Sequence, residues 1–198
     1  MLGSTKGTVE WWDRKDKSHD DGKIPYCDIY DDFNFLMKYG KKGTAAKNPN
    51  APAEVLAKLA EDEDVEVRYQ VARNPNTSAE VLEKLATDYE DDYYVRKAVA
   101  VNPNTPIKVL EKLAENWNED VKYCVAKNPS TPAETLVKLT EDDSSYYVRE
   151  AVAANPNAPL ELLMKLAEDS SKYVRIAVAE NPSTPLEIIK KLAEDGVM

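Results

Sequence analysis

The sequence predicts an all-α solenoid of about five and a half two-helix repeats with an N-terminal cap. Three observations carry this. The dipeptide Asn-Pro recurs at Asn48, Asn74, Asn102, Asn128, Asn155 and Asn181, and subtraction of those positions gives spacings of 26, 28, 26, 27 and 26 residues. Between successive Asn-Pro sites lie two short stretches whose apolar residues have helical spacing. Neither stretch is long enough to persist as an isolated helix, so each unit must bury its apolar side against its neighbours.

In chain order, residues 1–47 read as an arm plus a cap. Residues 8–12 and 24–30 flank a polar run and fit a short hairpin or an extended arm. Residues 31–39, stopped by Gly40, read as a capping helix, and residues 44–47 as the end of a degenerate unit. Trp11, Trp12, Phe33, Phe35, Leu36 and Met37 are available to cover the end of the array, which would otherwise aggregate. Residues 48–198 are the solenoid, with repeats starting at 48, 74, 102, 128, 155 and 181, the last supplying a helix A alone.

Residues 128–154 illustrate one repeat. Thr131-Pro132-Ala133-Glu134 reads as a capping box, with the Thr hydroxyl accepting an amide at the helix start and Pro132 in the first helical position. Residues 51–54, 77–80 and 184–187 are similar. Ala158 lacks the hydroxyl, and Lys108 replaces the Glu, which predicts a weaker start there. Helix A carries Leu136, Val137 and Leu139, an acidic loop follows, and helix B carries Val148, Val152 and Ala153. The next Asn-Pro ends it, because the residue before proline avoids the helical region. The asparagine itself reads as turn chemistry, its amide bonding nearby backbone. The mostly small set Gln70, Ala98, Cys124, Ala151 and Ala177 marks close helix packing.

The pattern N-P-N/S-T/A-P-x-E-x-L-x-K-L-A, then D-x-x-x-x-V-R-x-x-V-A, is carried by residues 74–100 and 155–179. It resembles the leucine-rich repeat variant family. The resemblance implies a right-handed superhelix of alternating helices without strands. The units here are somewhat longer than that family's, and the extra residues fall between A and B, which predicts a full α-helix for B. The second half of the unit also resembles HEAT repeats, which implies a ladder of paired Asp and Arg residues along the stack. Neither resemblance implies a catalytic residue.

The net charge of -10 is unevenly placed. Residues 1–47 hold 9 Lys/Arg and 8 Asp/Glu, leaving 17 and 28 for the array, a net of -11. That field repels phosphate backbones and anionic lipid, so general nucleic-acid binding and membrane-surface binding are disfavoured. The two cysteines, Cys27 and Cys124, are too few for a disulfide framework or a cysteine-only cluster and read as reduced thiols. No apolar run reaches transmembrane length, and residues 1–6 lack a signal peptide's apolar stretch, so a cytoplasmic location is expected.

Catalysis finds no purchase. His19 is the one histidine, and phosphate loops and nucleophile elbows are lacking. Residues 16–22 only faintly resemble a calcium loop, with the glycine one place late, so neither metal nor cofactor is expected.

What remains is a binding surface. The basic set Arg68, Arg96, Lys122, Arg149 and Arg175 reads as a structural ladder, paired with acids of the preceding loop such as Asp62, Asp88, Asp142 or Asp169, and with nearby carbonyls. The loops between A and B form an acidic ridge holding Tyr94, Trp117, Tyr147 and Tyr173. Helix B adds variable outward positions, among them Tyr69, Lys97, Tyr123 and Glu150. The leading expectation is a non-enzymatic scaffold that binds a protein partner, one with a basic surface, through these residues. The alternative is an acidic nucleic-acid mimic that occupies a DNA- or RNA-binding protein.

Overall fold

The computed structural model describes residues 40–87, 93–141, 145–194 and 196, and all regular structure among them is helical. The A helices are α2 (Ala53–Leu59), α4 (Ala79–Thr87), α6 (Ile107–Ala114), α8 (Ala133–Glu141), α10 (Leu160–Leu166) and α12 (Leu186–Glu194). The B helices are α3 (Val65–Arg73), α5 (Tyr93–Val101), α7 (Glu119–Lys127), α9 (Tyr146–Ala154) and α11 (Lys172–Glu180). Helix α1 (Gly40–Lys47) takes the B position ahead of the first full repeat and packs on α3 as α3 packs on α5. Gly40 is the first residue of this helix. The capping helix expected over 31–39 and the tryptophan arm lie outside the described residues.

The array is a two-layer solenoid. B helices pack against B helices more extensively than A helices against A helices. Residue type explains this. Each B helix from α3 to α11 is nine residues long and buries two valines a turn apart, such as Val121 and Val125, Val148 and Val152. Ala72, Ala100, Ala126 and Ala153 are fully buried beside them, and so small a side chain lets neighbouring backbones approach. The close-packing set Gln70, Ala98, Cys124, Ala151 and Ala177 is buried as well. The A helices contribute leucines, with Leu56, Leu82, Leu110, Leu136 and Leu163 fully buried. Each such leucine or valine stabilises the stack by about 1.5–3 kcal/mol, which is what helices this short require. The last helix, α12, packs on α11, buries only Leu192 and leaves Leu186 exposed.

The Asn-Pro turns turn out to be the inter-repeat joints. Each asparagine from Asn74 to Asn181 is buried. Its Oδ1 accepts the amide two residues on, as at Asn76 N to Asn74 Oδ1, 2.9 Å, which is the local turn chemistry expected. Its Nδ2 does something the sequence reading missed. It donates to two carbonyls of the previous repeat: Asn74 to Ala46 at 2.7 Å and Asn48 at 2.8 Å. Asn102 repeats this to Ala72 and Asn74, Asn128 to Ala100 and Asn102, Asn155 to Ala126 and Asn128, and Asn181 to Ala153 and Asn155. The carbonyl of each B helix's last turn, cut off from water, thus finds a donor in the next repeat. A rim ladder runs beside it, with Asn76, Asn104 and Asn157 donating to Pro49, Pro75 and Pro129.

The capping box is corrected. Thr131 Oγ1 does not cap helix A; it donates to Val125 O at 2.6 Å, and Thr77, Thr105 and Thr184 bond Val71, Val99 and Val178 in the same way. A hydroxyl is donor and acceptor, and here it donates to a buried carbonyl at the end of the preceding helix, which also accepts the following Asn amide. Proline is also one place earlier than expected. Pro52, Pro106 and Pro159 are extended N-cap residues without a side-chain cap bond, and the helix starts one residue later. Where Ala51 or Ala158 replaces the threonine, the latch is missing and the alanine is simply buried.

One further expectation fails. Cys124 is fully buried and disulfide-bonded, not a reduced thiol. Two cysteines are too few for a framework, but a single bond needs no more. Cys27 lies outside the described residues. Among the described residues no helix is long and apolar enough to cross a membrane.

Candidate functional site

The basic ladder comes first, because it fixes the loops that precede helix B. Arg68 donates to the carbonyls of Asp62 (2.7 Å) and Glu63 (3.0 Å), and Arg175 to those of Asp169 (2.7 Å) and Ser170 (3.1 Å). These carbonyls belong to the loop that precedes each helix. The carboxylates behave differently. Arg149 grips Asp169 of the following repeat with two bonds, Nε to Oδ2 at 2.7 Å and Nη2 to Oδ1 at 3.0 Å. Lys42 reaches Asp62 of the following repeat with one bond at 2.7 Å. Lys42 stands six residues before Asn48, as Arg149 stands six before Asn155, so it is a further rung that the sequence reading did not include. Lys122 instead reaches Glu119 of its own helix at 3.7 Å. Arg96 is buried, and Asp88 and Asp142 lie outside the described residues.

Electrostatics follow from these contacts. The hydrogen bond from Lys42, then that from the Asp64 amide, holds the Asp62 carboxyl below its ordinary range. Burial pushes Asp169 up, but the bonds from Arg149 and the Ser171 amide outweigh it, and the net shift is down. Both carboxylates are therefore anions fixed as acceptors for a loop amide and a cation from the repeat before.

The acidic ridge is partly neutralised. Lys84 pairs with Glu61 at 2.5 Å and Lys191 with Glu168 at 3.1 Å, each lysine coming from the A helix of the following repeat. Lys58, Lys84, Lys112, Lys138, Lys165 and Lys191 share this register, ten residues after their Asn. Exposed pairs of this kind contribute about 0–1 kcal/mol, but they remove carboxylates from the field a partner would meet.

Among the described residues the tyrosines sit on the B helices, not in the loops. Tyr94, Tyr147 and Tyr173 occupy the second position of α5, α9 and α11, and Tyr69 and Tyr123 come three positions further along α3 and α7. These positions share one helix face, the outer face of the B layer. The structure links several of them into one row. Tyr123 meets Tyr147 at 5.9 Å between ring centroids, Tyr147 meets Tyr146 edge-on at 6.0 Å, and Tyr146 meets Tyr173 at 5.9 Å. The row spans α7, α9 and α11. Burial pushes the Tyr147 phenol above its ordinary range.

Cations sit over the rings. Lys127 lies 5.5 Å from the Tyr123 centroid, Lys172 5.1 Å from Tyr173 and Arg73 5.7 Å from Tyr69. Lys97 is buried, pairs with Asp120 at 3.2 Å and lies 5.8 Å from both Tyr93 and Tyr94. Glu150 is half-buried on α9. Trp117 is 79% exposed in the loop before α7 and makes no ring contact with the described tyrosines. Of the predicted set, Tyr123, Tyr147 and Tyr173 are thus joined, Tyr94 and Lys97 form a second group, and Trp117 stands apart. Tyr146, Tyr93, Asp120 and Lys172 read as loop residues, although counting back from each Asn places them on helix B, where Lys127 was already an outward position. Among the described residues no group of three or more His, Cys, Asp or Glu could hold a metal ion.

The repeat geometry decides what the chain is related to. The Leucine Rich Repeat Variant domain profile matches residues 41–93, and the Leucine rich repeat variant profile matches residues 146–171. A solved structure described as "a leucine-rich repeat variant with a novel repetitive protein structural motif" is similar over 79% of this chain, with 29% sequence identity and a TM-score of 0.55. These repeats resemble the leucine-rich repeat variant family in two matched segments and in fold. The chain covers 65% of the length of that solved structure. None of the curated proteins matches the chain. The frame repeats the asparagine joint and the valine and leucine core while varying the outer face of helix B.

Proposed function

We propose that this chain is a non-enzymatic scaffold that binds a protein partner through the outer face of its B layer. The observation that carries the reading is the tyrosine row across α7, α9 and α11, set on a frame of alanine and valine. Tyrosine supplies a large, rigid contact with a polar tip at low entropic cost, which is why it anchors interfaces. The lysines and arginines over the rings leave this face close to neutral, while the loop edge beside it is acidic. A partner with an apolar centre and a basic flank fits both. An intracellular setting is part of the proposal, with the bond at Cys124 then a redox-responsive feature, since lasting disulfides are rare there.

The nucleic-acid mimic is less well supported. Mimicry needs carboxylates displayed like phosphates, whereas Asp62, Glu61 and Glu168 are engaged by lysines. Partner capture with the wild-type chain and with Tyr94→Ala/Tyr147→Ala/Tyr173→Ala tests the proposal. Capture should fall at least tenfold with helix content unchanged. Equal capture by both would remove the B face as the site. A steep loss of the wild-type complex with salt would favour the mimic.

A further inference from the structure

We propose that the tyrosine row takes a proline-rich segment of the partner, in the polyproline II conformation and flanked by a basic residue. The inference rests on the proposed function and names the partner's chemistry at that same face. Spacing is its first support. Every B helix from α3 to α11 sets a tyrosine on the outer face: Tyr69, Tyr94, Tyr123, Tyr147 and Tyr173. Neighbouring B helices pack through buried valine and alanine, so each step along the array is roughly 8–10 Å. One turn of polyproline II is three residues and about 9.3 Å, which brings every third side chain over the next helix. Two turns of an α-helix, about 10.8 Å, overshoot that step, and one turn falls short of it. A strand repeats its side chains on one face about every 6.8 Å, and among the described residues there is no sheet edge for it to join.

The surface under such a chain is continuous. Tyr123 and Tyr147 bridge α7 and α9 at 5.9 Å between centroids, and Tyr146 and Tyr173 bridge α9 and α11 at 5.9 Å. A segment crossing these helices stays on aromatic rings, whose flat faces suit pyrrolidine rings. Polyproline II makes no internal hydrogen bonds, so its carbonyls are open to phenolic hydroxyls at the surface. It is also extended before it binds, which lowers the entropy lost on docking.

Charge selects the same occupant. Lys127 already lies over the Tyr123 ring and Lys172 over that of Tyr173, so an incoming cation gains little there. An incoming anion meets the half-buried Glu150 on α9 and the acidic loop edge. An uncharged centre is what this near-neutral face accepts. The loop edge before α7 differs. Glu115 and Trp117 are both exposed there, and among the described residues Glu115 forms no ion pair. An arginine beside the prolines gains an indole face and a carboxylate at that edge.

Fluorescence anisotropy of a labelled peptide against the full chain tests this. The probe has about nine prolines, roughly 28 Å of polyproline II, with arginines at one end. Saturable binding is expected. Tyr146→Ala/Tyr173→Ala should weaken it at least tenfold with circular dichroism unchanged, while Met164→Ala on the A side leaves it unaltered. Glu115→Gln should weaken the arginine-bearing probe about threefold and leave a probe of prolines alone unaffected. The proposal is overturned by no saturable binding up to about 1 mM probe, or by equal binding to the tyrosine variant. Equal or tighter binding of a peptide with the same arginines but glycine and serine for proline, or of a helix-forming peptide, also overturns it. If the proline probe fails while partner capture still depends on Tyr94, Tyr147 and Tyr173, this inference fails and the partner reading stands.

Discussion

Replacing Asn128 by alanine tests the joint that holds the repeats together. Asn128 is 2% exposed, near the middle of the array. Its Nδ2 donates to Ala100 O at 2.7 Å and to Asn102 O at 3.2 Å, and its Oδ1 accepts from Ser130 N at 2.8 Å. Alanine removes all three bonds, and they are not equal. Ala100 O loses a short bond in a buried setting, a loss of about 1–3 kcal/mol. Asn102 O keeps the Thr105 amide at 3.1 Å and loses only its second partner, about 1 kcal/mol. Ser130 is exposed, so water replaces its acceptor at little cost. The total is about 2–4 kcal/mol, well above the 0–1 kcal/mol of an exposed ion pair. Urea unfolding followed by circular dichroism measures it, with Lys191→Ala as the exposed control. Asn128→Asp should be worse than alanine at neutral pH, because it keeps the acceptor, loses the donor and sets an anion against two carbonyls. An Asn128→Ala midpoint equal to that of the control, or an Asp variant more stable than the Ala variant, would refute the reasoning.

Three further outcomes follow from the same geometry. Thr131→Ala loses the bond to Val125 O and should cost about 1–2 kcal/mol in the same unfolding assay, while Ala158→Thr should restore a latch and raise the midpoint. Asp169 has a folded-state pKa below its ordinary 3.8, so its pairing contributes stability above about pH 4 that is lost as pH falls through the depressed value. Arg149→Met should therefore lower stability at pH 7 and flatten its fall on acidification, read from melting temperatures across pH. Glu66 has the opposite sign: burial raises it from its ordinary 4.5, so its charge is a cost above the raised value. Glu66→Gln should raise the melting temperature at pH 7, with the gain vanishing as pH drops below that 4.5.

The unit was legible because every repeat repeats its punctuation. Asn-Pro marked the joints, and pairs such as Val148 and Val152 marked the buried stripe of helix B. What escaped is what neighbouring repeats do to each other. The Asn128 amide reaches carbonyls 26 and 28 residues back, a distance that turn chemistry within one repeat cannot suggest. The Thr131 hydroxyl suits a cap or a latch equally, and only the buried carbonyl of Val125 decides between them. Arg149 was read backward toward Asp142, yet its carboxylate partner is one repeat ahead. Lys42 was overlooked because α1, with Gly40 and Gly43, lacks the valine stripe that identified the other B helices. The candidate site was half legible. Tyr123, Tyr147 and Tyr173 follow from register, but assigning the tyrosines to the loops concealed Tyr146, which links the row.

The central claim is that the outer B face, not the A side, is where a partner docks. Leu160 and Met164 on α10 are 48% and 55% exposed and make the A side a real competitor. Site-specific photo-crosslinking separates the two, with benzoylphenylalanine placed at Tyr147 in one protein and at Met164 in another. Partner crosslinks from position 147 and none from 164 are the result predicted here. Crosslinks from 164 with none from 147 would contradict the assignment.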